Sequence, residues 1–125
     1  MAAEATILIC DDEPTVRELM RLSVDPGHTV VEAADGVEAI ALADRLRPDL
    51  VVLDVMMPGA TGLEVIGHLR GSPALDRTPV VVVSAFATEK DRNAALAAGA
   101  DEFLAKPFEP DDLHALVEEL LAARR

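Results

Sequence analysis

A chain of 125 residues, half of them hydrophobic, is long enough for one domain with a single buried core and too apolar to be disordered. The formal net charge of −12 argues against binding nucleic acid or an anionic membrane surface through the protein's own field. No apolar stretch approaches membrane-spanning length, residues 1–4 lack a signal-peptide pattern, and the lone Cys10 cannot form an internal disulfide, so we expect a cytoplasmic protein.

Five apolar segments of strand length alternate with helical patterns along the chain. The predicted strands are residues 6–10, 29–32, 50–53, 79–84 and 102–105. The third segment, Leu-Val-Val-Leu, does not alternate with polar residues, which is typical of a strand buried on both faces. The alternation predicts an α/β fold over residues 1–125, with a doubly wound five-stranded parallel sheet covered by helices on both faces.

Apolar stripes at helical spacing connect these strands. The first helix opens at Pro14, the second stops before Pro48, the third ends near Gly71, and the last carries a clear leucine-rich stripe from Leu113 to Leu121. The fourth helix, residues 88–98, is different because it is alanine-rich and has Leu96 as its only large apolar residue. We therefore expect it to be weakly anchored and easily shifted, with Gly99 as its C-terminal cap.

Polar side chains follow four of the five predicted strands. Asp11 and Asp12 follow the first, Asp54 the third and Lys106 the fifth, while Ser84 ends the fourth. The carboxyl ends of parallel strands share one edge of the sheet, so we expect these side chains to converge. Two carboxylates about 4 Å apart repel by roughly 4 kcal/mol at an effective dielectric of about 20, which one lysine cannot neutralise. An all-oxygen, cysteine-free site of this kind favours Mg²⁺.

Purely structural roles could explain each of these residues taken singly. Asp11 and Asp12 could cap the first helix, and Asp54 could cap the turn at Pro58-Gly59. Two other functions share parts of the pattern. An aspartate-nucleophile phosphohydrolase would want an acid where Met56 stands, and a flavodoxin-like FMN carrier would want a Ser/Thr-rich loop instead of acids after the first strand. The capping interpretations do not explain why all the polar residues arrive at the same edge.

Four segments carry a resemblance to a known family: ILICDDEP at 7–14, PDLVVLDVMMPG at 48–59, VSA at 83–85 and GADEFLAKPF at 99–108. Over essentially its whole length the sequence resembles the receiver domains of bacterial two-component response regulators, of the chemotaxis-regulator type. The resemblance implies a (βα)5 flavodoxin-like fold with strand order 2-1-3-4-5. It also implies a signalling protein that catalyses only its own phosphorylation and dephosphorylation.

The resemblance also implies roles for the converging residues. Asp54 would receive a phosphoryl group from a sensor histidine kinase or a histidine phosphotransfer protein. Asp12, Asp54 and the main-chain carbonyl of Met56 would ligate Mg²⁺, with Asp11 assisting through water. Lys106 would pair with Asp54 and then with the phosphoryl group, and the Ser84 hydroxyl would bond a phosphoryl oxygen. The peptide bond from Lys106 to Pro107 would be cis.

The resemblance and the residue types together predict how the domain would switch and how long it would stay phosphorylated. Ser84 would move towards the phosphoryl group, and Phe103 would turn into the vacated space, although Phe103 could equally be a plain core residue. Many relatives carry tyrosine at position 103. The face formed by helix 4, strand 5 and helix 5 would then signal to a downstream effector protein or a fused output domain. Met56 and Phe86 would flank the site and slow hydrolysis of the acyl phosphate.

Overall fold

The computed structural model describes residues 4–24 and 27–123. The remaining positions, at both ends of the predicted domain and before the second strand, lie outside the described residues. Strands and helices alternate in the order β1 (Thr6–Cys10), α1 (Pro14–Val24), β2 (Thr29–Ala33), α2 (Gly36–Leu46), β3 (Leu50–Leu53), α3 (Gly62–Arg70), β4 (Val80–Ser84), α4 (Glu89–Ala98), β5 (Glu102–Ala105) and α5 (Pro110–Ala123). Within the described ranges no helix is both long enough and apolar enough to span a bilayer.

The five strands form one parallel sheet in the order β2-β1-β3-β4-β5, which confirms the predicted fold class. Two strand boundaries differ from the prediction by one residue, and so does the start of α4, where residue 88 is the N-cap and not the first helical residue. β2 continues to Ala33, which pairs with Cys10. β4 begins at Val80 because proline has no N–H to donate to a neighbouring strand, although the Pro79 carbonyl accepts a hydrogen bond from Val51 N–H at 3.0 Å.

Successive residues of a strand point to opposite faces of the sheet and so belong to two different hydrophobic layers. Ile7 and Ile9 of β1 pack in the layer beneath α1 and α5, whereas Leu8 and Cys10 pack in the layer beneath α2, α3 and α4. All four residues of β3 are fully buried, as predicted for a strand covered on both faces. Each such side chain stabilises the fold by roughly 1.5–3 kcal/mol. The site at the strand ends therefore rests on a closely packed platform.

Helix α4 is held mainly at its ends. Among its ten residues, all of them described, only Ala95 is buried, and Leu96 is 38% exposed. Thr88 and Asp91 form a capping box at its start, and Gly99 caps its end with a φ of 118°. Arg70 of α3 donates hydrogen bonds of 2.7 and 3.1 Å to the Gly99 carbonyl. The weak side-chain anchoring and the glycine cap agree with the sequence prediction.

Helix α3 starts directly against the end of β3. A Cβ atom on Gly62 would collide with the backbone oxygen of Asp54 and lie 2.7 Å from the Cα of Val55. The Gly62 N–H donates to the Val55 carbonyl at 2.8 Å. Glycine at this position therefore allows the helix to approach the backbone that carries Asp54.

Candidate functional site

Three carboxylates converge at the carboxyl ends of β1 and β3. One oxygen from each of Asp11, Asp12 and Asp54 lies within 4.8 Å of the other two. Asp11 is fully buried and Asp54 is 5% exposed, whereas Asp12 is exposed. The cluster is thus rooted in the core and opens to solvent at Asp12.

Asp11 is fixed from several sides. Its N–H donates to the Ala33 carbonyl of β2 at 3.2 Å. One carboxylate oxygen accepts from Glu13 N–H at 2.9 Å, and the other accepts from the Lys106 ammonium at 2.8 Å. Local capping of the loop therefore uses only one oxygen of Asp11.

Asp54 is placed by the sheet itself, because its N–H donates to the Cys10 carbonyl of β1 at 3.0 Å. Oδ1 accepts a long hydrogen bond, 3.3 Å, from Met56 N–H, and Oδ2 lies 3.4 Å from the Lys106 ammonium. Capping of the turn thus involves Oδ1 alone.

Lys106 extends from the end of β5 into the acidic cluster, and its side chain is 15% exposed. The ion pair with Asp54 that the sequence predicts is present at 3.4 Å, and the ammonium lies closer still to Asp11, at 2.8 Å. The backbone N–H of Lys106 donates to the Ser84 carbonyl at 2.9 Å, and the peptide bond between Lys106 and Pro107 is cis. One cation therefore bridges two of the three carboxylates.

Burial and charge perturb both titratable groups at the centre of the site. Burial raises the pKa of the Asp54 carboxyl; the Lys106 charge opposes this shift and the Asp11 charge adds to it. Burial acts to lower the pKa of the Lys106 ammonium, but the hydrogen bond to Asp11 and the charges of Asp11 and Asp54 outweigh it and raise that pKa. Lys106 therefore stays charged, and Asp54 holds its charge less easily than an ordinary aspartate.

Ser84 is fully buried at the end of β4, beside Ala105 of β5. Its hydroxyl oxygen accepts from Phe86 N–H at 3.0 Å. Ser84, Met56 and Phe86 line a cavity of about 180 Å³ that reaches Asp91 and Ala94 of α4. The Met56 and Phe86 residues are 56% and 58% exposed, so both project beside the cavity.

Phe103 lies on β5 opposite Val82 and is 9% exposed. It packs in the hydrophobic layer that also contains Ala95 of α4. A buried aromatic next to the least anchored helix is compatible with both interpretations of Phe103, the switching role and the plain core role.

The residues present fit Mg²⁺. The cluster offers carboxylate oxygens only, and its three negative charges face one ammonium. Two oxygens bound to the same Mg²⁺, each at about 2.1 Å, lie no more than about 4.2 Å apart, so oxygens within 4.8 Å of one another need only small adjustments to share an ion. The excess negative charge gives the ion its electrostatic driving force.

The residues that hold the loop with Asp11 and Asp12 were not predicted from the sequence. Arg17 of α1 donates to the Asp11 carbonyl at 2.8 Å and to Glu32 of β2 at 3.1 Å. Two features of the sequence indicate them: Glu32 is the only charged residue in β2, and Arg17 and Arg21 stand four positions apart on one helix face.

The family model described as "Response regulator receiver domain" matches residues 7–118. Response regulator MprA of Mycobacterium sp. (strain KMS) is 47% identical over 116 residues, covering 92% of this chain and 50% of that protein, so the chain spans half of MprA. The receiver domain of Francisella response regulator 1452 matches with a TM-score of 0.90 at 28% identity, over 98% of this chain and 100% of that one. Chemotaxis protein CheY4 of Vibrio cholerae matches with a TM-score of 0.87 at 32% identity, over 94% and 99%.

The family match covers the five strands, except for the first residue of β1, and the acidic cluster with its lysine. The fold, the strand order and the placement of polar residues at the strand ends agree with this match. The chain therefore belongs to the response regulator receiver domains of two-component signalling systems.

Proposed function

We propose that this domain accepts a phosphoryl group from a phosphohistidine onto Asp54, in a reaction that requires Mg²⁺. The donor would be a sensor histidine kinase or a histidine phosphotransfer protein. The observation that carries the proposal is the position of Asp54 at the rim of the core, in a cluster with Asp11 and Asp12 and 3.4 Å from the Lys106 ammonium.

In the proposed reaction an oxygen of Asp54 forms a bond to phosphorus as the phosphorus–nitrogen bond of the donor breaks. The electron pair stays on the imidazole nitrogen, which then takes up a proton, and Asp54 becomes an acyl phosphate. Asp12, Asp54 and the Met56 carbonyl would hold Mg²⁺, with Asp11 in support; when bound, the ion supplies charge that neutralises the phosphoryl oxygens. Lys106 lies close enough to Asp54 to contribute a second positive charge.

We propose further that the signal passes from Ser84 to α4. The Ser84 hydroxyl oxygen accepts from Phe86 N–H, in the loop leading to Thr88 at the start of α4, and its own O–H can donate to a phosphoryl oxygen. A shift of Ser84 towards that oxygen would therefore pull on the loop. The neighbouring cavity gives the loop room to move, and α4 has little buried surface to resist it. Phe103 would follow, and the face of α4, β5 and α5 would present the change to a downstream effector or a fused output domain.

Met56 and Phe86 would set the lifetime of the acyl phosphate. Both side chains are large, apolar and more than half exposed beside the site, where they can obstruct an attacking water. We expect Met56→Asn and Phe86→Ala to lose phosphate faster than the wild type, as measured by the decay of the phosphorylated species. Unchanged decay in both variants would remove this part of the proposal.

The central test uses acetyl phosphate as the phosphoryl donor in the presence of Mg²⁺. We expect an adduct of about 80 Da, the mass of one phosphoryl group, on the wild type and on the exposed-surface control Asp112→Asn, but not on Asp54→Asn. Adduct formation should also disappear when Mg²⁺ is chelated. Steady release of phosphate from small esters without an adduct would favour the phosphohydrolase instead, and an adduct on Asp54→Asn would contradict the proposal.

A further inference from the structure

Arg17 connects helix α1 to two other parts of the fold. Its Nη1 donates to the Asp11 carbonyl at 2.8 Å, and its Nε donates to Glu32 of β2 at 3.1 Å. The side chain is only 17% exposed, so the guanidinium is packed between the loop and the strand. A planar guanidinium with several fixed donors suits a bridge of this kind better than a flexible ammonium.

Glu32 also binds a second arginine, Arg21, which can be compared with Arg17. Arg21 donates to Glu32 at 2.9 Å through Nε and at 2.7 Å through Nη2. The hydrogen bond from Arg21, together with that from Arg17 and the charges of both, lowers the pKa of Glu32 and keeps it ionised. Arg17 and Arg21 thus carry the same charge and share a partner, but the contact to the Asp11 carbonyl belongs to Arg17.

The Asp11 carbonyl occupies a critical position in the backbone. Its C=O and the N–H of Asp12 belong to one rigid peptide plane, so a hydrogen bond to that oxygen restrains the orientation of the plane. Asp12 itself is exposed, and the nearby carboxylates of Asp11 and Asp54 repel its charge. Without a restraint on the backbone, repulsion would favour conformations in which Asp12 turns away from the other two.

We infer that Arg17 is a positioning residue for the cation site, and this inference rests on the proposed function of the same cluster. Anchored on Glu32, the guanidinium holds the peptide between Asp11 and Asp12 so that both carboxylates already face one point before an ion binds. Loss of a residue that orients metal ligands typically weakens metal binding by about 10- to 100-fold.

The test is the Mg²⁺ affinity of the metal-free protein, measured by titration calorimetry on the wild type, Arg17→Gln, Arg17→Lys and Arg21→Gln. We expect Arg17→Gln to weaken binding by about tenfold or more. Arg17→Lys should recover part of the loss. Arg21→Gln should not weaken binding, because removal of a nearby positive charge by itself favours a bound cation. Electrostatics alone predicts tighter binding in both glutamine variants, so the direction of the change distinguishes positioning from charge.

Two further readouts separate positioning from general stability. The thermal midpoint without Mg²⁺ should fall in both glutamine variants, whereas the Asp12 amide resonance should move in Arg17→Gln and not in Arg21→Gln. If Arg17→Gln does not fold, Glu32→Gln takes its place, and Glu18→Gln, at an exposed position of α1, is the control for the loss of one negative charge. Glu32→Gln should weaken Mg²⁺ binding more than this control because it loosens the anchor of Arg17, and equal weakening in the two would overturn the inference.

Equal or tighter binding in Arg17→Gln, equal weakening in Arg17→Gln and Arg21→Gln, or unchanged binding in the substitute Glu32→Gln would each overturn the inference. If the wild type binds Mg²⁺ and is phosphorylated, such a result leaves the proposed function standing. A wild type that binds no Mg²⁺ would overturn both.

Discussion

Replacing Asp12 with asparagine should stabilise the metal-free protein. At 4.8 Å two unit charges repel by about 3.5 kcal/mol at an effective dielectric of about 20, and by about 0.9 kcal/mol in bulk water. Asp12 is exposed and interacts with both Asp11 and Asp54, so the value for each pair lies towards the water limit. Lys106 offsets part of the sum, and we therefore expect Asp12→Asn to raise the free energy of unfolding by about 1–2 kcal/mol.

The same substitution should remove stabilisation by Mg²⁺. A ligand that binds only the folded state at 100 times its dissociation constant adds about 2.7 kcal/mol to the free energy of unfolding. Urea unfolding followed by far-ultraviolet circular dichroism, with EDTA or with Mg²⁺, measures both effects. The control is Glu119→Gln, which removes one negative charge from an exposed position on α5 and should leave Mg²⁺ stabilisation intact.

A metal-free Asp12→Asn protein no more stable than Glu119→Gln would refute the reasoning, because repulsion in the cluster would then be negligible. Full Mg²⁺ stabilisation in Asp12→Asn would show that the ion binds elsewhere.

Three further predictions concern the packing around the site. Gly62→Ala should destabilise the protein by about 1–3 kcal/mol, because its Cβ would collide with the Asp54 backbone; the matched Gly67→Ala in the same helix meets no atom within 4 Å and should stabilise it by about 0.5–1 kcal/mol. Equal urea midpoints for the two variants would argue against the close approach of α3. The Cys10 thiol is fully buried, and burial, with the nearby charges of Glu38 and Asp11, raises its pKa, so a thiol reagent should label the protein only as fast as it unfolds; rapid labelling of folded protein would contradict this. Arg21 and Arg17 lower the pKa of Glu32, so its stabilising contribution is present above the ordinary glutamate range and is lost as the pH falls through the lowered value. Glu32→Gln should therefore be less stable than the wild type by about 1 kcal/mol at neutral pH, with the difference shrinking in acid, as unfolding at several pH values would measure; a difference that does not change with pH would contradict an ionic origin.

Much of the fold could be predicted because its signals are local. Pro14 and Pro48 mark a helix start and a helix limit, and the apolar run 50–53 indicates a strand buried on both faces. The small errors in the strands lay at their ends, as with Pro79. Whether a residue there belongs to the strand depends on its hydrogen bonds with a neighbouring strand. Such bonds join residues that are distant in the sequence, so a local pattern cannot define them.

The sequence predicted which residues form the candidate site better than it predicted which of them contact one another. Parallel strands bring their carboxyl ends to one edge, so Asp11, Asp54 and Lys106 were expected to meet. The structure adds that Lys106 lies nearer to Asp11 than to Asp54. The distances depend on how a flexible side chain settles among several charges, and residue types alone do not specify that balance.

The sequence by itself determined the alternation of strands and helices, the double-sided burial of β3 and the set of polar residues that end the strands, because each depends on periodicity, on chain-breaking residues or on the direction of a strand. The tertiary structure decided which groups pair. Lys106 reaches Asp11 across 95 positions, and Arg17 reaches both the Asp11 carbonyl and Glu32. Such contacts arise only when the sheet order and the helix packing set the distance between side chains, since a polar group pairs with whichever partner the packed core places within reach.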